Sequence, residues 1–280
     1  MIEIKNLEKT YSDGNHALRG ITATFDKKIT AIIGRNGAGK TTLIRILSTQ
    51  LMQTSGSVSI NGLDNIRDAK KIRKNIVSIP QEVVSFSSIT PMEHLKIYLS
   101  ARGMSNKESI KEATKALKEV ELWDARNVPA DMLSGGMKRK IFVAMALASN
   151  ADITFLDEPT TGLDPISRME VWSAIRRMHG NIILTTHYME EAMQLADEVV
   201  MIESGKIIAS GSVKSLLSRF KGIVRAETNS PKVISKYIIG NSKIKYIKIS
   251  ETEKYAKLGY AIKPITLDDL FIIRGVDLES

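Results

Sequence analysis

Nine consecutive residues constrain this chain most: Gly34-Arg35-Asn36-Gly37-Ala38-Gly39-Lys40-Thr41-Thr42. They follow an apolar run, Ile29-Thr30-Ala31-Ile32-Ile33, that reads as a buried strand, and precede Leu43-Ile44-Arg45-Ile46-Leu47, that reads as a helix. A glycine, four residues, then Gly-Lys-Thr between a strand and a helix is the phosphate-binding loop pattern. The glycines let the backbone curl so that successive N–H groups face one concavity without a Cβ over the phosphates. The helix beginning near Lys40 aims its positive end at the same place. Lys40 can reach the β- and γ-phosphates as a mobile point charge, and the Thr41 hydroxyl is a hard oxygen suited to Mg²⁺. Nucleotide binding is the function this stretch predicts.

The 280 residues are enough for one large domain, or one domain with a small appendage. The chain has no cysteine, which removes disulfide, cysteine–metal and thiol redox chemistry. Met1-Ile2-Glu3-Ile4-Lys5 lacks the layout of a signal peptide. No apolar run approaches the roughly eighteen residues that span a bilayer. The expected location is therefore cytoplasmic. The net charge of +9 is scattered, and by itself selects no partner among nucleic acid, anionic membrane and nucleotide.

Residues 2–8 and 20–25 read as short strands around the polar turn Tyr11–Asn15. Tyr11 either stacks on a base or ends a strand half buried. Gly56–Gly62 reads as a strand and turn, and Ile76–Pro80 as another strand, stopped by the proline. Gln81 follows at once, as a contact for Mg²⁺ or water, or as a surface residue; a flexible loop after it can report nucleotide to a partner. Thr90-Pro91-Met92-Glu93 predicts a capped helix start. Met92, Leu95, Tyr98 and Leu99, then Ile110, Ala113, Leu117 and Val120, predict two helical packing faces. With residues to about 150 they form a helical insert.

Leu133-Ser134-Gly135-Gly136-Met137 opens a further helix with Lys138, Arg139 and Lys140 in its first turn. Cations there oppose the helix dipole by about 0.3–1 kcal/mol each. A bound anion would reverse the sign; a solvated basic turn is the other reading. Ile153–Leu156 is a buried strand ending in Asp157-Glu158. Alternation along a strand sends those side chains apart, Asp157 toward a Mg²⁺ shell and Glu158 toward an attacking water. Asp164 and Pro165 start a helix with Met169, Trp172 and Ile175 on its buried side. Asn181–Leu184 is a strand, with His187 just past it, placed for a γ-phosphate or for a structural role. Residues 198–210 read as a hairpin turned at Ser204-Gly205. From about 220 onward the strand–helix alternation is lost, predicting a small separate α+β domain that ends in a capped helix, Thr266–Phe271.

The order of these motifs resembles the nucleotide-binding subunit of an ABC transporter over about residues 1–218. Leu133-Ser134-Gly135-Gly136 resembles the family signature. Tyr11 matches its adenine-stacking aromatic, Gln81 its Q-loop glutamine, Asp164 its D-loop aspartate and His187 its switch histidine. The fold implied is an α/β P-loop NTPase cassette with a mixed sheet core, an N-terminal antiparallel β subdomain and an α-helical signature subdomain at about 84–150. A small α+β domain follows at 219–280.

The resemblance implies ATP and Mg²⁺ as cofactors. ATP is held by Tyr11, Gly34, Asn36, Gly37, Ala38, Gly39, Lys40, Thr41, Thr42 and Asp164, with Ser134, Gly135 and Gly136 serving a second cassette. The metal falls to Thr41, Gln81 and Asp157. Hydrolysis falls to Glu158, His187, Gln81 and Lys40. The implied partners are a like cassette, packed head to tail as a homodimer, and a separate transmembrane permease on whose cytoplasmic face the chain sits. No nucleic acid is expected. Met137 departs from the family's usual glutamine; Ser134 and Gly136 are retained, so activity is expected to survive, with altered coupling as a further expectation. Thr185–Ala192 and Leu267–Phe271 are similar to the daunorubicin-resistance and polysaccharide or lipid export ATPases, which implies export. A soluble ABC-type ATPase on ribosomes or nucleic acid is the competing reading.

Overall fold

The computed structural model describes residues 1–81, 88–230, 233, 235 and 237–273. In chain order the elements are β1 (Ile2–Thr10), β2 (His16–Phe25), β3 (Ile29–Ile33), α1 (Lys40–Leu47), β4 (Ser55–Ile60), β5 (Leu63–Asp64), α2 (Ala69–Asn75) and β6 (Ile76–Ile79). Then come α3 (Pro91–Ala101), α4 (Asn106–Glu119), α5 (Gly135–Ala148), β7 (Ile153–Asp157), α6 (Pro165–Arg177), β8 (Asn181–Thr186), α7 (Met189–Leu195), β9 (Glu198–Glu203) and β10 (Lys206–Gly211). The last are α8 (Val213–Ser218), β11 (Ile223–Thr228), β12 (Tyr237–Ile239), β13 (Ser242–Lys248), α9 (Thr252–Lys257), β14 (Ala261–Lys263) and α10 (Leu267–Ile272). They form two compact units, Met1–Ser210 and Gly211–Ser280.

In the first unit a six-stranded sheet runs β10-β9-β3-β8-β7-β6. Every residue of β3 and β7 is buried, as expected for parallel strands covered on both faces. β3 pairs in parallel with β8 as far as Ile33↔Thr186, and β8 with β7 as far as Asp157↔Thr185. This register brings the carboxyl ends of three strands far apart in sequence to one edge of the sheet, the edge where open α/β sheets build sites. A second, antiparallel sheet, β2-β1-β4-β5, shares one apolar core with it, in which Ile4, Leu18 and Phe25 meet Ile32, Leu43 and Phe155. The first hairpin is longer than the sequence suggests, because β1 reaches Thr10 and β2 starts at His16, leaving only residues 11–15 as the turn.

The signature region is helical. Thr90 caps α3, with Pro91 at its first position and Glu93 completing a capping box. On α4 the buried face is Ser109, Ala113, Ala116 and Leu117. Ile110, expected on that face, is 42% exposed. It lies about 100° round the helix from Ser109, beyond the stripe that meets the core. On α6 the buried residues are Val171, Trp172, Ala174 and Ile175, and Met169 is 66% exposed rather than buried.

Among its described residues the second unit holds an antiparallel sheet, β12-β13-β11-β14, with helices α8, α9 and α10. Ala226, Ile247 and Tyr260 make its apolar core. The buried Asp269 carboxylate accepts from Tyr246 Oη (2.7 Å) and Arg225 Nη1 (3.0 Å), so its charge is paired inside the unit.

Candidate functional site

The glycine loop leaves β3 and enters α1 through Gly39, whose φ of 105° is left-handed. A Cβ there would stand 2.5 Å from the carbonyl oxygen of Ala17, and one on Gly34 would stand 2.3 Å from that of Ile202. At both positions the neighbouring backbone requires glycine, and at Gly39 the left-handed φ requires it as well. Lys40 Nζ, buried, donates to the carbonyls of Gly34 (2.9 Å) and Arg35 (3.2 Å), and lies 3.8 Å from Glu158 Oε1. Burial lowers the Lys40 pKa, while Glu158 and Asp157 oppose that shift.

The two carboxylates diverge for a reason other than strand alternation. β7 ends at Asp157, and Glu158 turns out of it with φ of 50°, a left-handed conformation uncommon for a non-glycine residue. Thr185 fixes both: its hydroxyl donates to Asp157 Oδ1 and accepts from Glu158 N (3.0 Å). Glu158 Oε2 accepts from Gln81 Nε2 (3.1 Å) and Thr161 Oγ1 (3.0 Å). His187 Nδ1 is 3.2 Å from the same oxygen, within ion-pair reach though too poorly aligned for a hydrogen bond. Lys40, Gln81, Glu158 and His187 thus converge from the ends of four elements.

A cavity of about 330 Å³ opens at this edge, lined by Tyr11, Asn36, Gly37, Gly39, Lys40, Thr41, Thr42, Gln81 and Glu158, together with Asn15 and Ala17. Asn15 and Ala17 were not singled out in the sequence; they arrive because the β1–β2 turn folds over the loop. Tyr11 Oη is 3.1 Å from Thr42 Oγ1, which fastens the aromatic ring to the start of α1. Gly34, Ala38, Asp157 and His187 are not among the lining residues, and Ala38 is buried, its carbonyl accepting from Gly205 N (3.0 Å). The hydroxyl of Thr41, the amide oxygen of Gln81 and the carboxylate of Asp157 are hard oxygen donors of the kind Mg²⁺ takes.

Ser134, Gly135, Gly136 and Asp164 do not line this cavity. Ser134 is the exposed N-cap of α5, accepting from Met137 N (3.2 Å). Asp164 is the exposed N-cap of α6, accepting from Ile166 N and Ser167 N (both 3.0 Å). Hydrogen bonds from Ser167, then from Ile166, hold its carboxyl below the usual range. The loop after Gln81 lies outside the described residues.

Two of the three cations at the start of α5 answer to neither sequence reading. Arg139 and Lys140 are buried. Lys140 Nζ pairs with Glu170 on α6, and Arg139 binds backbone carbonyls at the ends of β6 and β7. The protein itself supplies their counter-dipoles. The signal that could have found them was the unfavourable placement of cations at a helix start, which required some partner.

Comparison with known proteins agrees with this geometry. The family described as ABC transporter matches residues 18–161, just over half of the chain. The chain belongs to the ABC transporter family. ABC transporter A family member 6 of Dictyostelium discoideum is 38% identical over 225 residues, covering 78% of this chain and 14% of that protein. The mouse phospholipid-transporting ATPase ABCA3 is 35% identical over 225 residues, covering 78% of this chain and 13% of that protein. The chain therefore spans about one seventh of the length of these relatives, and they are A-family transporters, not the drug- and polysaccharide-export ATPases its local stretches resemble. Among solved structures, the ATP-binding subunit of an ABC transporter superposes with a TM-score of 0.71 at 27% identity, covering 79% of this chain and 93% of that one. The cassette MJ0796, a dimer in a post-hydrolysis state with ADP and Pi, gives a TM-score of 0.69 at 25% identity, covering 76% of this chain and 98% of that one. The fold is that of an ATP-binding ABC cassette.

Proposed function

We propose that this cassette binds MgATP at the glycine loop, hydrolyses it, and so powers a separate membrane-spanning partner, in the direction of export. The observation that carries the reading is the convergence of Lys40, Gln81 and His187 on the one carboxylate of Glu158. Lys40 and the loop N–H groups bind the phosphates, while Tyr11 offers a ring for the base. Glu158 accepts the proton of the attacking water, with Gln81 and Thr161 holding Oε2 in place. His187 stands ready to donate to the γ-phosphate. The metal set of Thr41, Gln81 and Asp157 fits Mg²⁺, since all three offer oxygen and Asp157 is held by Thr185 Oγ1. When bound, Mg²⁺ neutralises charge developing on the phosphates.

The exposed Ser134 and Asp164, outside their own cavity, support a head-to-tail homodimer in which Ser134 and Gly136 of one copy close the cavity of the other. Among the described residues no helix is long and apolar enough to cross a membrane; the place proposed for this cassette is the cytoplasmic face of its membrane-spanning partner.

The test has two arms. Glu158→Gln should lose Mg²⁺-dependent turnover by about 100-fold or more and accumulate an ATP-bound dimer; parental turnover removes the assignment. Gentle affinity purification from native membranes should recover a multi-spanning protein, and ribosomal or nucleic-acid-bound partners instead would move the reading to a soluble ATPase.

A further inference from the structure

We propose that Arg139 is a positioning residue for ATP hydrolysis, clamping the chain on either side of Gln81 and Glu158 so that the two side chains stay in register. The inference rests on the reading of Glu158 and Gln81 given above.

A guanidinium has five N–H donors in a planar fork. In Arg139 each has a backbone carbonyl. Nε donates to Pro159 O (3.1 Å), Nη1 to Pro80 O (3.3 Å) and Gln81 O (2.6 Å), and Nη2 to Asp157 O (2.9 Å) and Glu158 O (2.7 Å). These five oxygens belong to two segments only, residues 80–81 and 157–159, and those segments carry Gln81, Asp157 and Glu158.

The ladder between β6 and β7 ends at Ile79↔Leu156. Past that pair, the backbones that present the functional groups have no strand pairing to each other. Arg139 takes over the connection where the ladder stops. Its contact with Glu158 also falls on the residue with the left-handed φ of 50°, a strained conformation that persists only where surroundings enforce it. The fork is 8% exposed, so water does not compete for these carbonyls. Nearby Asp157, Glu158 and Glu191 offset the loss of hydration that lowers its pKa. A lysine could not substitute, because one ammonium presents three donors from a single point and cannot reach both segments.

The experiment uses the full chain with Arg139→Lys and Arg139→Gln, each alone and with Glu158→Gln. Turnover, KM for ATP and affinity for ADP are measured together. The expected result is a fall in kcat of about tenfold or more, with KM and ADP affinity within about threefold of the parent. On the Glu158→Gln background the further fall should be several-fold smaller than on the parent, because one of the two positioned side chains has lost its function. A parental kcat in Arg139→Lys overturns the proposal, and so does an equal further loss on the Glu158→Gln background. Loss of ADP binding along with kcat in both variants also overturns it, leaving Arg139 a purely structural clamp. If Glu158→Gln itself turns over normally, the site reading fails instead, which separates the two.

Discussion

Nε2 of Gln81 donates to Oε2 of Glu158 across 3.1 Å, although 77 positions separate the two residues. One side chain leaves the end of β6 and the other the end of β7, so this bond joins two strand termini at the proposed catalytic carboxylate. It holds Oε2 of the carboxylate proposed to act on the attacking water. Gln81→Ala should therefore leave ADP affinity within about threefold and lower kcat by about tenfold or more. Isothermal titration with ADP beside steady-state turnover checks this, and a matching loss of affinity would show Gln81 to be a binding group instead.

Gly39 and Gly37 separate two demands on glycine. Both have positive φ, 105° and 78°, but only at Gly39 would a Cβ meet other atoms, the Ala17 carbonyl at 2.5 Å and Leu18 Cδ2 at 2.9 Å. Gly37→Ala should cost about 1–2 kcal/mol, the usual penalty for a left-handed alanine. Gly39→Ala should cost more and should push β2 off the loop, weakening nucleotide binding beyond the effect of Gly37→Ala. Urea unfolding and ADP titration of the two variants side by side measure the difference.

Buried Glu191 links the site's supports: its Oε1 accepts from Thr160 Oγ1 (2.7 Å) and Trp172 Nε1 (3.0 Å). Burial raises its pKa above the ordinary value of 4.5, against hydrogen bonds from Thr186, Thr160 and Trp172. The protonated carboxyl thus suits the folded state. Its contribution is whole below the unfolded pKa and is lost as pH rises through the higher folded value. Glu191→Gln keeps an oxygen for both donors and does not titrate. Its melting temperature relative to the parent should therefore climb from acid to neutral pH; a constant difference across that window would contradict the assignment.

Asp269 is fully buried and holds Arg225 and Tyr246. Asp269→Ala would remove one of the two carboxylates on the partly buried Arg225 guanidinium, leaving Glu227 (2.8 Å), and would free the Tyr246 hydroxyl. A loss of about 1.5–3 kcal/mol is expected for removing hydrogen bonds to a buried charged acceptor. Amide exchange along β11 and β13 is the direct readout, and unchanged protection there would refute it.

Local chemistry was legible in the sequence. The glycine loop, the capping box of Thr90 and Glu93, the caps Ser134 and Asp164, and the apolar runs of β3 and β7 depend on residues within a few positions of one another, and each is where its residues predict. The sequence alone determined that a phosphate-binding loop sits between a strand and a helix, and that a signature-type cap and an Asp-Glu pair follow in order. What only the tertiary structure decided is long-range. The registers Ile33↔Thr186 and Asp157↔Thr185 place the loop, the carboxylates and His187 side by side. The left-handed turn at Glu158, the hydroxyl of Thr185 between two carboxylate residues, the burial of Arg139 and the exposure of Met169 and Ile110 all depend on which surface arrives opposite. Periodicity marks a face as apolar or charged, but whether that face meets carbonyls, a carboxylate or water is set by elements tens of residues away, through contacts that form only when the sheet closes.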